Sequence, residues 1–167
     1  LEEGITFPSK LKKHAFKINF LESSENVILS SDKPQKHYYN YFIGNNPQKW
    51  TSYVKTYDIV NYNSIYENID INIYTDENFL LKYDFILKPN AKVKDIKLEY
   101  EGVDNLKLNK GNLIINTSVQ KIIELKPYAY QIDENGNKIK INCEFIIQNE
   151  NIIKFKIGKY DKSQELI

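Results

Sequence analysis

The chain has 167 residues, 41% of them hydrophobic and 27% charged, with a formal net charge of +1. That length and composition belong to a globular protein with an ordinary hydrophobic core and exclude a disordered chain. The near-zero net charge excludes a bulk field able to hold nucleic acid or an anionic membrane.

The dominant hydrophobic period is two. In "HAFKINF", Phe16, Ile18 and Phe20 share one face of a predicted strand. "YYNYFIGNNPQKW" (Tyr38 to Trp50) reads as a strand entering a Gly-Asn-Asn-Pro turn, with one helical turn predicted after Pro47. Alternation there separates Tyr39 and Tyr41 from Tyr38, Asn40 and Phe42, so its rings are expected at the core or its rim, with Trp50 as a packing anchor. In "NIDINIY", Ile69, Ile71 and Ile73 share a face opposite Asp70, Asn72 and Tyr74. "KPNAKVKD" (Lys88 to Asp95) reads as a loop. "NKGN" and "DENGN" read as hairpin turns, because Asn and Gly accept positive φ. "KIKINCEFII" reads as one long strand, its Ile139, Ile141, Cys143, Phe145 and Ile147 alternating with mostly polar residues. A short link, Gln148 to Asn151, leads to a final strand with Ile153, Phe155 and Ile157 on one face.

Ten or more short strands with frequent turns predict an all-β, antiparallel, sandwich-like domain with little or no helix. A single module over residues 1–167 is the expectation; the loop near Pro89 is the natural place for a division into lobes 1–88 and 95–167. All basic residues except the two histidines are lysines, so bidentate guanidinium grips on carboxylate or phosphate are ruled out. Cys143 is the only cysteine, which rules out an internal disulfide and a cysteine-based zinc cluster. By its alternation it faces the core. No apolar run approaches the ~18 residues of a membrane span. The chain contains no methionine and starts at Leu1, which reads as an excised piece of a longer protein.

The sequence offers little for catalysis. A GxSxG elbow, a Walker loop, HExxH and a dinucleotide fingerprint are all missing, and only His14 and His37 could serve a nucleophile. Asp70 and Asp84 are the acids best placed for glycoside hydrolysis, yet an Asp inside a strand more often accepts hydrogen bonds that organise the strands around it. "DENGN" lacks the downstream Glu of a calcium loop. The expectation is a non-enzyme with no metal and no cofactor. The 13 tyrosines, eight phenylalanines and single tryptophan carry the alternative reading. Exposed rings stack on sugars, which makes Tyr39, Tyr41 and Tyr53 candidate glycan contacts.

"YYNYFIGNNPQKW" resembles the N-Y-F-x-G-N-D-P-x-x-W signature of a domain of unknown function found near the N-terminus of bacterial secreted and cell-surface proteins that carry SBBP β-propeller repeats. "VKTYDIVNYNSIYENIDINIY", "LLKYDFILKPNAKVKDIKLEYEGVDNLKLNKGNLIINT", "ELKPYAYQ" and "YDKSQELI" resemble its later motifs in the same order. Asn68 and Asn90 stand where the family has glycine, and Val103 where alanine is common. The family's early N-x-G-Q segment and its final I-D-P are not present. The resemblance implies a non-catalytic structural or interaction module of an exported multidomain protein. Its partners would be neighbouring propeller or immunoglobulin-like modules, with surface glycans or proteins as further candidates and no role for nucleic acid. It also implies fold-determining roles for Asn40, Tyr41, Gly44, Trp50, Asp70, Tyr83, Asp84, Phe85, Gly102, Pro127, Tyr130 and Gln131. A carbohydrate-binding, adhesin-like module is the alternative, and a polysaccharide-active or other hydrolase ranks below it.

Overall fold

A computed structural model describes residues 10–78 and 80–167. Thirteen strands occur among them: β1 (Lys17–Phe20), β2 (Ile28–Tyr41), β3 (Thr51–Tyr66), β4 (Ile69–Thr75), β5 (Leu81–Leu87), β6 (Leu98–Glu101) and β7 (Asn105–Asn109). The remainder are β8 (Asn112–Asn116), β9 (Lys121–Glu124), β10 (Ala129–Ile132), β11 (Lys138–Ile141), β12 (Cys143–Gln148) and β13 (Ile152–Ile157). Helical structure among the described residues is confined to two single 3-10 turns, Pro47–Lys49 and Val93–Asp95. The fold is all-β, built from open antiparallel sheets, as the spacing of strands and turns predicts.

The described residues gather into two compact units that do not follow chain order. The first takes those up to Leu21, with Ile96–Tyr128 and Asn142–Gly158. The second takes Glu22–Asp95, Ala129–Ile141 and Lys159–Ile167.

In the first unit one sheet runs β1-β6-β13-β12 and another runs β7-β8-β9. The buried residues of this unit include Ile96, just ahead of β6, with Leu98, Tyr100, Leu106, Leu113, Ile115, Phe145 and Ile153 from the strands. Each fully buried aliphatic side chain contributes about 1.5–3 kcal/mol. The Tyr100 hydroxyl, buried with its ring, donates to Glu124 Oε1 at 2.7 Å. Lys110 and Gly111 both take positive φ (50° and 85°), the two-residue geometry that turns β7 into β8. Cys143 is buried, and that burial pushes its thiol pKa up to about 11.

In the second unit one sheet runs β2-β3-β4-β5 and a hairpin pairs β10 with β11. The core gathers at one end of the larger sheet: Ile65, Tyr66, Ile69, Ile71, Phe85 and Leu87 are buried there. The final residues join the two pieces. Leu87 and Leu166 exchange backbone bonds of 2.8 and 2.9 Å, while Tyr130 and Ile167 exchange bonds of 2.7 and 2.9 Å. Gln131, the one buried polar residue among those described, clamps this terminal segment. Its Nε2 donates to the carbonyls of Asp161 (2.7 Å) and Glu165 (3.3 Å), and its Oε1 accepts from the Asp161 amide (2.9 Å).

One predicted element is corrected. The long strand read from "KIKINCEFII" is broken at Asn142, and its halves belong to different units: β11 to the second, β12 to the first. The Asn142 carbonyl leaves the ladder and accepts from the Gly158 amide at 2.8 Å. Period-two patterning of residue types persists through the break, but burial follows it only from Ile141 onward: Ile141, Cys143 and Phe145 are buried, whereas Ile139, expected on the same face, is exposed.

Two outcomes test this packing. Gln131→Leu should cost about 2–4 kcal/mol in chemical denaturation, because it leaves buried backbone groups without partners; a change under about 0.5 kcal/mol would refute the clamp. A bulky maleimide should label Cys143 only on unfolding, and rapid labelling of the native protein would show the thiol to be accessible.

Candidate functional site

Strands β2 and β3 are 14 and 16 residues long, while β4 has seven. Pairing of β3 with β4 stops at Ile59 opposite Tyr74. Beyond that point, among the described residues, β2 and β3 pair only with each other. Residues from Lys33 to Tyr57 therefore form a two-stranded arm, closed by the turn around Pro47. No residue from Ile28 to Ser64 is buried.

A two-stranded ribbon is marginal in water unless its strands are joined by side chains. Here they are. Tyr38 and Tyr53 meet across the ladder with centroids 4.6 Å apart and ring planes tilted by 32°, and Phe42 meets Trp50 edge-on at 5.5 Å. Cross-strand aromatic pairs of this kind contribute roughly 0.2–1 kcal/mol each. The signature residues build the tip. Asn40 Oδ1 accepts from the Tyr53 amide at 3.0 Å, which holds a bulge where Tyr53 takes φ 58°. Gly44 takes φ 72° and its carbonyl accepts from Trp50 Nε1 at 3.1 Å. Asn46 caps the 3-10 turn through the Gln48 amide, with Pro47 at its first position.

The rings fall in two rows on opposite faces. His37, Tyr39 and Tyr41 follow one another at 5.6 and 6.4 Å; Tyr38 and Tyr53 lie on the other face, beside Lys55, which pairs directly with Tyr38. The candidate contacts Tyr39 and Tyr41 thus share a row that excludes Tyr53. The expected core placement does not occur. Trp50 is 41% exposed and Tyr53 72%. Trp50 anchors its own turn instead of a core, because among the described residues no third strand or second layer covers this part of β2 and β3.

The arm also carries a charge pattern that the overall balance hides. Between Asp32 and Asp58 there is no carboxylate, although the chain has 22 acidic residues. Lys33, Lys36, Lys49 and Lys55 lie in this stretch, all exposed. None forms an ion pair among the described residues. A scan for acid-free windows would have found this stretch in the sequence.

The remaining candidates have structural partners. Asp70 Oδ1 accepts from the Ser64 amide at 2.7 Å and its Oδ2 meets Lys88 Nζ at 2.6 Å, so it holds the irregular end of β3. Asp84 accepts from the Tyr74 hydroxyl at 2.9 Å; burial first, then this bond, raises the Tyr74 pKa to about 12. Tyr83 packs edge-on against buried Phe85 at 5.9 Å. Gly102, at φ 89°, offers its carbonyl to His14 Nε2 at 2.7 Å. Pro127 is half-buried, just ahead of the hairpin β10–β11, and Lys138 sits 4.0 Å above the Tyr130 ring.

His14 Nδ1 lies 2.9 Å from Ser118 Oγ. The contact resembles a nucleophile with its base, but the Ser118 amide also points at Nδ1, at 3.3 Å. An amide spent on the imidazole cannot stabilise an oxyanion. "DENGN" is a turn in which Asp133 Oδ1 accepts from the amides of Asn135 and Asn137; the bond from Asn137 leads the causes that hold the Asp133 carboxyl below its usual range. Two open clefts line the second unit, about 320 Å³ beside Gln131 and Asp133 and about 570 Å³ beside Ser64 and Asn68. Among the described residues no group of three or more His, Cys, Asp or Glu side chains is placed to hold a metal.

Asn40→Ala and Trp50→Ala should each raise amide exchange at the tip while shifting the melting temperature by less than about 2 °C, since neither side chain reaches a core. A cooperative loss of several degrees would show the arm to be part of the core.

No curated protein and no solved structure matches the chain. A family model matches residues 2–167, and by that match the chain belongs to DUF7948, a domain of unknown function.

Proposed function

We propose that this domain is a non-catalytic structural and interaction module of an exported bacterial multidomain protein, and that the arm makes its contacts. The observation that carries this reading is a paired ribbon, interrupted only by bulges and its turn, without a single buried residue from Ile28 to Ser64. Surface apolar groups are ordinarily scattered, and a cluster of this extent marks an interaction site. The resemblance of "YYNYFIGNNPQKW" and the later motifs to the signature of SBBP-associated domains supports a setting at the cell surface or in secreted proteins, beside propeller or immunoglobulin-like modules. The structural partners of Asp70, Asp84 and His14 support a non-enzyme, because each group is engaged in holding local backbone or a neighbouring side chain.

A second reading, carbohydrate binding in the manner of an adhesin, is favoured by the exposure of Tyr39, Tyr41 and Tyr53. Exposed tyrosines offer a ring face for the apolar side of a sugar and a hydroxyl for its polar rim.

Replacing Lys33–Asp58 by a two-residue Asn-Gly turn, which joins paired Asp32 and Ile59, should leave the domain folded with an unchanged melting temperature. In the full parent protein the same replacement should increase proteolytic release of adjacent modules. Unchanged release would overturn the interaction role. A reproducible hydrolase activity lost in folded Asp70→Asn or Asp84→Asn would overturn the non-catalytic assignment. Fractionation of the native bacterium should find the domain outside the cytoplasm, and a purely cytoplasmic pool would refute export.

A further inference from the structure

We infer that the arm binds an anionic polysaccharide, a sugar chain bearing carboxylate or sulfate groups, with Tyr38 and Tyr53 stacking on the sugars and the arm lysines pairing with their charges. The inference deepens the carbohydrate-binding reading and rests on it. Its first support is charge segregation. A chain of net charge +1 places four exposed lysines, and no carboxylate, between Asp32 and Asp58. Charges left without partners at the surface attract an opposite charge within a Debye length, about 8–10 Å at physiological salt.

The second support is the coincidence of rings and charge on one face. Tyr38 and Tyr53 make a close, tilted pair, Tyr53 is the more exposed of the two, and Lys55 lies directly across the ladder from Tyr38. An apolar ring surface beside an ammonium group matches a ligand that has apolar C–H faces and anions in one repeat. Ammonium groups pair with carboxylate or sulfate as point charges and need no bidentate fit.

Other occupants suit the arm less well. An added β-strand would pair along the outer edge of β2 or, beyond Ile59, of β3, but on β2 Pro34 has no amide, Lys33 takes φ 53° and the register shifts between Pro34 and Tyr38, and on β3 Tyr53 takes φ 58° at a bulge. These are devices that blunt an edge. A bilayer would meet the arm tip first; there exposed Phe42, Ile43 and Trp50 sit among the side-chain amides of Asn45, Asn46 and Gln48, which are costly to bury in hydrocarbon, and three of the four lysines lie back along the strands. Nucleic acid is commonly gripped through arginine stacking and larger cationic surfaces, and the chain has no arginine.

The test uses the intact domain and calorimetry with polygalacturonate, dextran sulfate and neutral dextran, at low and high salt. Binding to one or both polyanions, weakened at least about tenfold by high salt, with dextran inert, is the expected result; which polyanion binds tells carboxylate from sulfate. Lys55→Glu should weaken binding at least about fivefold with a reduced salt dependence. Tyr53→Ala should weaken it by a similar factor with the salt dependence unchanged. The domain with Lys33–Asp58 replaced by Asn-Gly should not bind. Equal binding to dextran would keep the carbohydrate-binding reading and sink the anionic one, whereas no binding to any of the three would sink both. Polyanion binding indifferent to Tyr53→Ala, or retained without the arm, would also overturn the inference. So would tighter binding to single-stranded DNA or to anionic phospholipid vesicles, which would assign the arm to nucleic acid or membrane.

Discussion

A strand can bury a side chain only where another layer or neighbour covers it, and the mismatch in strand length decides where that happens in the second unit. Strands β2 and β3 outrun β4 by roughly half their length. Where β4 is present, Ile65, Tyr66, Ile69 and Ile71 form a core; where it ends, the same ladder continues with no core at all. One continuous pair of strands thus supplies both a stabilising element and an exposed arm. The arm depends on its rooted end for stability and on cross-strand ring pairs for order. Its two opposite faces stay open because no residue of the described chain is available to cover them.

Polar side chains manage the irregular points of this plan. Asp70 accepts the Ser64 amide where the register of β3 against β4 shifts, and Lys88 neutralises it. Asn40 performs the corresponding job at Tyr53 in the arm. Gln131 holds the terminal segment, whose Leu166 and Ile167 in turn bond to Leu87 and Tyr130. Each device satisfies backbone groups that have left the ladder, which is what a β fold must do wherever pairing fails. The residues that stand out in the sequence as signature positions include several of these. Asn40, Asp70 and Gln131 hold backbone, whereas Asp84 accepts from the Tyr74 hydroxyl on the neighbouring strand.

Turns and short alternating strands were legible before the structure. Lys110-Gly111 and Asp133-Gly136 carry turn chemistry in their residue types, and Ile69 and Ile71 or Ile153 show the buried side of their strands by simple alternation. Cys143 was legible in the same way. The arm was legible only in part. Alternation separates Tyr38 from Tyr39 correctly, but it cannot say whether either face is covered. Aromatic residues are favoured equally in cores and in exposed recognition surfaces, so their abundance there pointed toward a core they do not enter.

What the sequence by itself determined is local. Its period of two, its Asn-Gly turns and its lack of long amphipathic stretches dictate an all-β chain, because these properties act over a few residues of backbone. It also set the acid-free run from Lys33 to Tyr57, a fact of composition. The tertiary structure alone decided that β2 and β3 outreach their neighbours, that the strand after Lys138 breaks at Asn142 and changes units, and that Trp50 is exposed. Each of those depends on which distant segment comes to lie alongside. Burial is a property of the pair of surfaces that meet, and no residue carries it alone.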